Sequence, residues 1–222
     1  MRRVRVSVGA ALLALVLSGC GSVSEEYEVT GIDQLDIPTP SPDPDDFVAT
    51  IDNPWLPLEP GHVWTYDVGG ETSGTTVVAV ADRSETVAGV EVTVVETRMA
   101  EQSPGVEVTA RRTDYFAQDR EGNVWWFGTE GVWEAGLDGA EAGLAMPADP
   151  RVGDGWRLAL SDGVVEDRAT VESIEEGQVI VRVESDLTPD VVELRSYDAG
   201  VGLVRTVNVD GPRGSSELQS GP

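Results

Sequence analysis

Hydrophobic and polar positions alternate along most of this chain with a period of two. Val90, Val92 and Val94 alternate with Glu91, Thr93 and Val95, Val106 and Val108 with Glu107 and Thr109, and Val179, Val181 and Val183 with Ile180, Arg182 and Glu184. Successive side chains of a strand point to opposite faces, so this pattern in β-branched residues, punctuated by glycine turns, predicts antiparallel strands with one buried face. Ten runs fit, at 62–68, 74–82, 90–102, 106–118, 123–128, 155–160, 164–176, 178–187, 191–198 and 202–209. No segment has convincing helical periodicity, and only Ala140–Asp154 breaks the series, with room for a short helical turn. The predicted class is all-β with few helices, an antiparallel meander of about ten strands forming a sandwich or a strongly curved sheet.

The runs also fall into two sets of parallel content. One opens at Trp64 and closes through Tyr115 into Gly122-Asn123-Val124, and the other opens at Trp156 and closes through Tyr197 into Gly202-Leu203-Val204. The tryptophans are 92 residues apart and the tyrosines 82, so a pair of related five-strand halves must absorb a ten-residue difference. Duplication and chance similarity between meanders both fit this spacing.

The N-terminus follows a different pattern. Arg2, Arg3 and Arg5 precede an apolar run from Val8 to Leu17, closed by Leu17-Ser18-Gly19-Cys20. Charged, apolar and small-residue regions in that order predict a signal peptide, too short for a permanent membrane span. The last four residues resemble the lipobox of bacterial lipoproteins, which implies cleavage after Gly19 and a diacylglyceryl thioether on Cys20. Each buried methylene of the acyl (palmitate-type) chains contributes about 0.8 kcal/mol, so an anchor on the outer face of the cell membrane needs no help from surface charge. The expected organisation is a signal peptide at 1–19, a lipidated Cys20 with an acidic, Pro-rich tether at 20–46, one β domain at 47–210, and a flexible tail at 211–222.

Composition then narrows the chemistry. The 222 residues carry 15 Arg, no Lys, 40 Asp+Glu, one His and one Cys, for a net charge of −25. Such an acidic surplus repels phosphate backbones and disfavours a nucleic-acid partner. A single Cys, spent on lipid, leaves neither a disulfide nor a thiolate cluster, and a single His rules out a two-His metal site, so no cofactor or metal is expected. Asp43, Asp45 and Asp46 lack the turn glycine and distal glutamate of a calcium loop. His62 has no Gly-x-Ser-x-Gly elbow to serve. Asp119-Arg120-Glu121-Gly122-Asn123-Val124-Trp125-Trp126 resembles one blade repeat of sensor-type propellers, but it occurs once, and it suits a hairpin with positive φ at Gly122 or Asn123. Of the six tryptophans, Trp55, Trp64, Trp126 and Trp133 are the candidate ligand contacts, against a purely structural role in core and rim. Trp125 and Trp126 must face opposite sides of their strand.

Three segments carry a resemblance. Asn53-Pro54-Trp55-Leu56-Pro57-Leu58-Glu59-Pro60-Gly61-His62-Val63-Trp64-Thr65-Tyr66, Tyr115-Phe116-Ala117-Gln118-Asp119 with Gly122-Asn123-Val124-Trp125-Trp126-Phe127-Gly128, and Tyr197-Asp198-Ala199-Gly200-Val201-Gly202-Leu203-Val204 resemble a group of exported bacterial β-rich proteins and lipoproteins of unknown function. The resemblance implies an all-β extracytoplasmic domain and supplies no catalytic residue. Two functional classes follow. The first is a monomeric, non-enzymatic envelope module that binds an apolar or glycan ligand or a protein partner, with a lipoprotein carrier as its most specific form. The second is an envelope-polymer hydrolase or lyase using two facing carboxylates.

Overall fold

The structure, a computed structural model, describes residues 36–37, 43–103 and 106–222. The expected signal peptide, Cys20 and most of the expected tether lie outside the described residues. Fifteen strands form one sheet: β1 (Asp36–Ile37), β2 (Phe47–Val48), β3 (Val63–Gly70), β4 (Ser73–Val87), β5 (Val90–Ser103), β6 (Val106–Asp119), β7 (Val124–Thr129), β8 (Trp133–Glu134), β9 (Gly143–Met146), β10 (Gly155–Ser161), β11 (Val165–Glu175), β12 (Gln178–Ser185), β13 (Val192–Asp198), β14 (Gly202–Asp210) and β15 (Gly214–Ser220). The all-β, strongly curved sheet expected from the periodicity is present, with five strands more than the pattern revealed, and it nearly closes into a barrel.

Its strands run as two antiparallel meanders, β3–β7 and β10–β14. Each opens on a buried tryptophan, Trp64 or Trp156, and each carries a buried tyrosine, Tyr115 or Tyr197, beside a register shift between its fourth and fifth strands. Hairpin chemistry is local: β4 turns into β5 through Ala88 (φ 50°) and Gly89 (φ 84°), the two positive values of a type I′ turn. At the β6–β7 hairpin the positive φ belongs to Gly122.

The meanders meet through β15, which pairs with β14 on one side and β3 on the other. This corrects the expectation of a flexible tail at 211–222. The segment reads Gly-Ser-Ser-Glu-Leu-Gln-Ser, with no hydrophobic alternation, because its place is fixed by backbone pairing on both edges and one apolar side chain, Leu218. The expected helical turn within Ala140–Asp154 is also absent, since Gly143–Met146 is the short, wholly buried strand β9. The expected tether contributes to the fold as well: Asp36–Ile37 pair in parallel with β10, and Asp43 caps a single 3-10 turn at Pro44–Asp46.

The remaining edge is sealed by close approach. β9 pairs with β7 and lies against β10, where Glu141 N donates to Leu160 O at 3.0 Å. A Cβ on Gly143 would overlap the carbonyl of Leu158, so only glycine lets the two backbones come this close. Under this seam lie fully buried Trp156, Met146, Val92, Val94, Val124, Val171 and Val179, each contributing roughly 1.5–3 kcal/mol if counted as complete removal from water. Val92 and Val94 are buried, as are Val95 and Thr97, so both faces of β5 are covered.

Gly143→Ala should therefore push β9 off β10 and lower the unfolding free energy by roughly 1–3 kcal/mol, the usual cost of overpacking. Urea denaturation reads it, and an unchanged midpoint would mean that the seam does not need the glycine.

Candidate functional site

The register of β3–β6 sets residues in rows on one face. Trp64 pairs with Val78, Val78 with Thr97 and Thr97 with Arg112, while the next row runs Val80, Val95, Asp114 and Thr129. Residues directly opposite one another in a ladder share a face, so Trp64, Val78, Val95, Thr97, Arg112 and Asp114 form one surface. Leu56 and Leu58 from the segment before β3, Tyr66, Phe116, and Leu203 of β14 complete a cavity of ≈ 140 Å³ above it.

That cavity is mainly apolar, with one charged pair. Arg112 Nε donates to Asp114 Oδ2 at 2.7 Å, and Thr129 Oγ1 donates to Asp114 Oδ1, also at 2.7 Å. Asp114 is 2% exposed, whereas the Arg112 side chain is 52% exposed. Among the described residues nothing else bonds the guanidinium, so its two Nη groups stand at the rim as donors. Tyr66 closes the opposite side by donating to Leu203 O at 2.8 Å. Burial first, and then the neighbouring Tyr197, raise the Tyr66 phenol far above its usual value, so it remains a neutral donor.

Beside the cavity a buried polar lattice holds the pre-β3 segment in place. Asn53, 2% exposed, accepts from Trp55 N (2.8 Å) and Leu56 N (3.2 Å) and donates Nδ2 to Gly122 O (2.8 Å) and Pro147 O (3.2 Å). Gln118 Oε1 accepts from the Asp52 and Asn53 backbone. Asp119 accepts from Asn123 and from Trp125 Nε1, which makes the single propeller-like repeat a self-capped hairpin. Gly200 N donates to Pro54 O at 2.7 Å and Trp64 Nε1 to Val201 O at 2.7 Å. The segments around Asn53–Tyr66, Gln118–Trp125 and Gly200–Val201 thus converge in one structural knot tied by mutual hydrogen bonds.

The four candidate tryptophans separate into two places. Trp64 is buried in the wall of the cavity, its indole N–H already used by Val201, and half-buried Trp55 packs against the core near it. Trp126 stacks on Phe116 (6.3 Å, 15°) and meets Trp133 edge-on (5.2 Å, 73°), on the face opposite Trp125's. Trp133 floors a second cavity of ≈ 260 Å³, which Glu134, Asp138 and Asp162 also line. His62 packs edge-on against Trp64, 5.7 Å away, with no nucleophile bonded to it. Asp46, considered above for calcium, pairs with Arg120, and among the described residues no group of three His, Cys, Asp or Glu side chains is placed to hold a metal ion. Sequence reasoning missed Arg112 and Asp114 as site residues. Their separation of two along β6, which puts both on one face, was the available signal.

No family model and no curated protein matches the chain. Among solved structures, a Bacteroides fragilis protein described as exported and as having a YmcC-like fold is similar, with 11% identity and a TM-score of 0.40 over 76% of this chain and 98% of that one. A Parabacteroides distasonis protein described as a lipoprotein is similar with 12% identity and a TM-score of 0.31, again over 76% and 98%.

Asn53→Ala removes four side-chain hydrogen bonds and strands buried backbone groups, so it should cost about 3 kcal/mol of stability. Guanidinium denaturation measures this, and a loss near zero would show that water replaces Asn53 without penalty.

Proposed function

We propose that this protein is a lipid-anchored envelope module that binds, without catalysis, a ligand offering one small apolar group beside an anion. The observation that carries this reading is the cavity between β3–β6 and Leu203, apolar inside and with the exposed Arg112 guanidinium at its rim. A cavity of 140 Å³ matches the size that accommodates one benzene ring, and it falls short of the roughly 300 Å³ at which drug-sized ligands begin to be buried. One ring or branched chain end fits, and a whole acyl chain does not, so a carrier of complete lipids is the less suitable form. The carboxylate or phosphate next to that group meets the Nη donors that Asp114 leaves free.

The hydrolase reading is less well served. This cavity holds one carboxylate, Asp114, already bonded to Arg112 and Thr129. The second cavity offers three, but Asp138 and Asp162 are exposed and lack the water-excluding surroundings that polymer-cleaving acids use.

Benzoate, titrated into the full chain and followed by amide chemical shifts, should bind more tightly than benzene, and Arg112→Met should abolish the difference. Because that variant also leaves Asp114 without its partner, Val78→Phe, which fills the cavity and spares the ion pair, should abolish binding of both. Absence of any saturable shift in the parent protein would overturn the reading. The anchor is read separately: protein purified from membranes should have the mass of a chain starting at an acylated Cys20, and an unmodified, uncleaved mass would contradict it.

A further inference from the structure

We propose that the second cavity docks a cationic segment of a partner protein, one in which lysine or arginine flanks an aliphatic side chain. This site is distinct from the Arg112 cavity and does not rest on the function proposed for it. Three turns build the groove: Glu130–Val132 between β7 and β8, the link after β8, and Asp162–Val164 between β10 and β11. Its floor is Trp133, wedged edge-on against Trp126, so the groove exists before anything binds.

Around that floor stand Val132, Leu137 and Val164, exposed by 60%, 58% and 48%. Single exposed aliphatic residues are ordinary on any surface, but three lining one groove are what a docking face presents. Every charged residue lining the groove is negative: Glu134, Asp138 and Asp162. None of the three forms an ion pair with an arginine among the described residues. An apolar centre with an uncompensated acidic rim complements a side chain that is aliphatic and closely followed by cations. A second copy of this chain does not suit it, because a net charge of −25 repels its like. An acidic or phosphorylated partner is repelled in the same way.

The test titrates the full chain with a synthetic peptide of two leucines between two lysines, and with its glutamate counterpart. The lysine peptide should shift the amides of Gly131, Val132, Leu137 and Gly163 saturably, more weakly as salt rises, and the glutamate peptide should not. Val132→Ser/Leu137→Ser, whose exposed positions leave the fold and its thermal midpoint unchanged, should weaken binding about tenfold. Shifts spread over the acidic surface and indifferent to that double variant would overturn the proposal. So would the same amides responding instead to self-association in sedimentation, or to a neutral glucan oligosaccharide.

Discussion

Neither five-strand meander can bury its apolar face alone, and the whole structure depends on how their edges are joined. A free sheet edge exposes a row of backbone donors and acceptors, and closure removes it. At one junction β15 supplies hydrogen bonds to both β14 and β3. At the other, β9 presses against β10 at Gly143, where a methyl group in place of a hydrogen would collide with the Leu158 carbonyl. One junction is made of the backbone hydrogen bonds of a single polar, small-residue strand, and the other of steric closeness beside the Glu141–Leu160 bond. Only when both hold does the valine core between them leave water.

Closure also decides where the Arg112 cavity can be. Its floor belongs to β3–β6, but Leu203 comes from β14, on the far side of β15, and Leu56 and Leu58 come from a segment outside the meander. Asn53 and Gln118 fix that segment through buried hydrogen bonds, each strong in a low-dielectric interior and costly if left unmade. The cavity therefore exists as a consequence of the scaffold: the segments 53–66, 115–119 and 197–204 supply its apolar lining through Leu56, Leu58, Trp64, Tyr66, Phe116 and Leu203, while the charged pair Arg112 and Asp114 lies outside them.

Strands with one covered face were legible in the chain, because burial imposes alternation: β12 alternates buried and half-buried positions from Gln178 to Val183, within the run expected at 178–187. Residues 211–222 were illegible because β15 is held through its backbone, on which side-chain hydrophobicity carries no information. β9 was illegible for the opposite reason, since Gly143, Leu144, Ala145 and Met146 are all buried and a short continuous apolar run has no period. Trp64 was recognisable as a candidate contact, whereas Leu203 lies too far along the chain to be linked to it without the β14–β15–β3 order. Of the aromatic set, Trp126 stacks on Phe116 of the Arg112 cavity and meets Trp133 of the second cavity edge-on, a neighbourhood that only the register of β6 with β7 and β7 with β8 reveals.

The acidic surplus follows the same division between inside and outside. Asp114 and Asp119 are buried and fully engaged, while most other carboxylates line the exterior and are too many for the chain's few arginines. Joining the meanders through β15 is the central physical claim, and native-state hydrogen exchange tests it most directly. The amides of Ser215, Ser216 and Leu218 should exchange as slowly as those of β3 and β14, opening only with global unfolding. Rapid exchange there, beside slow exchange in β3, would show an unattached tail and contradict the account.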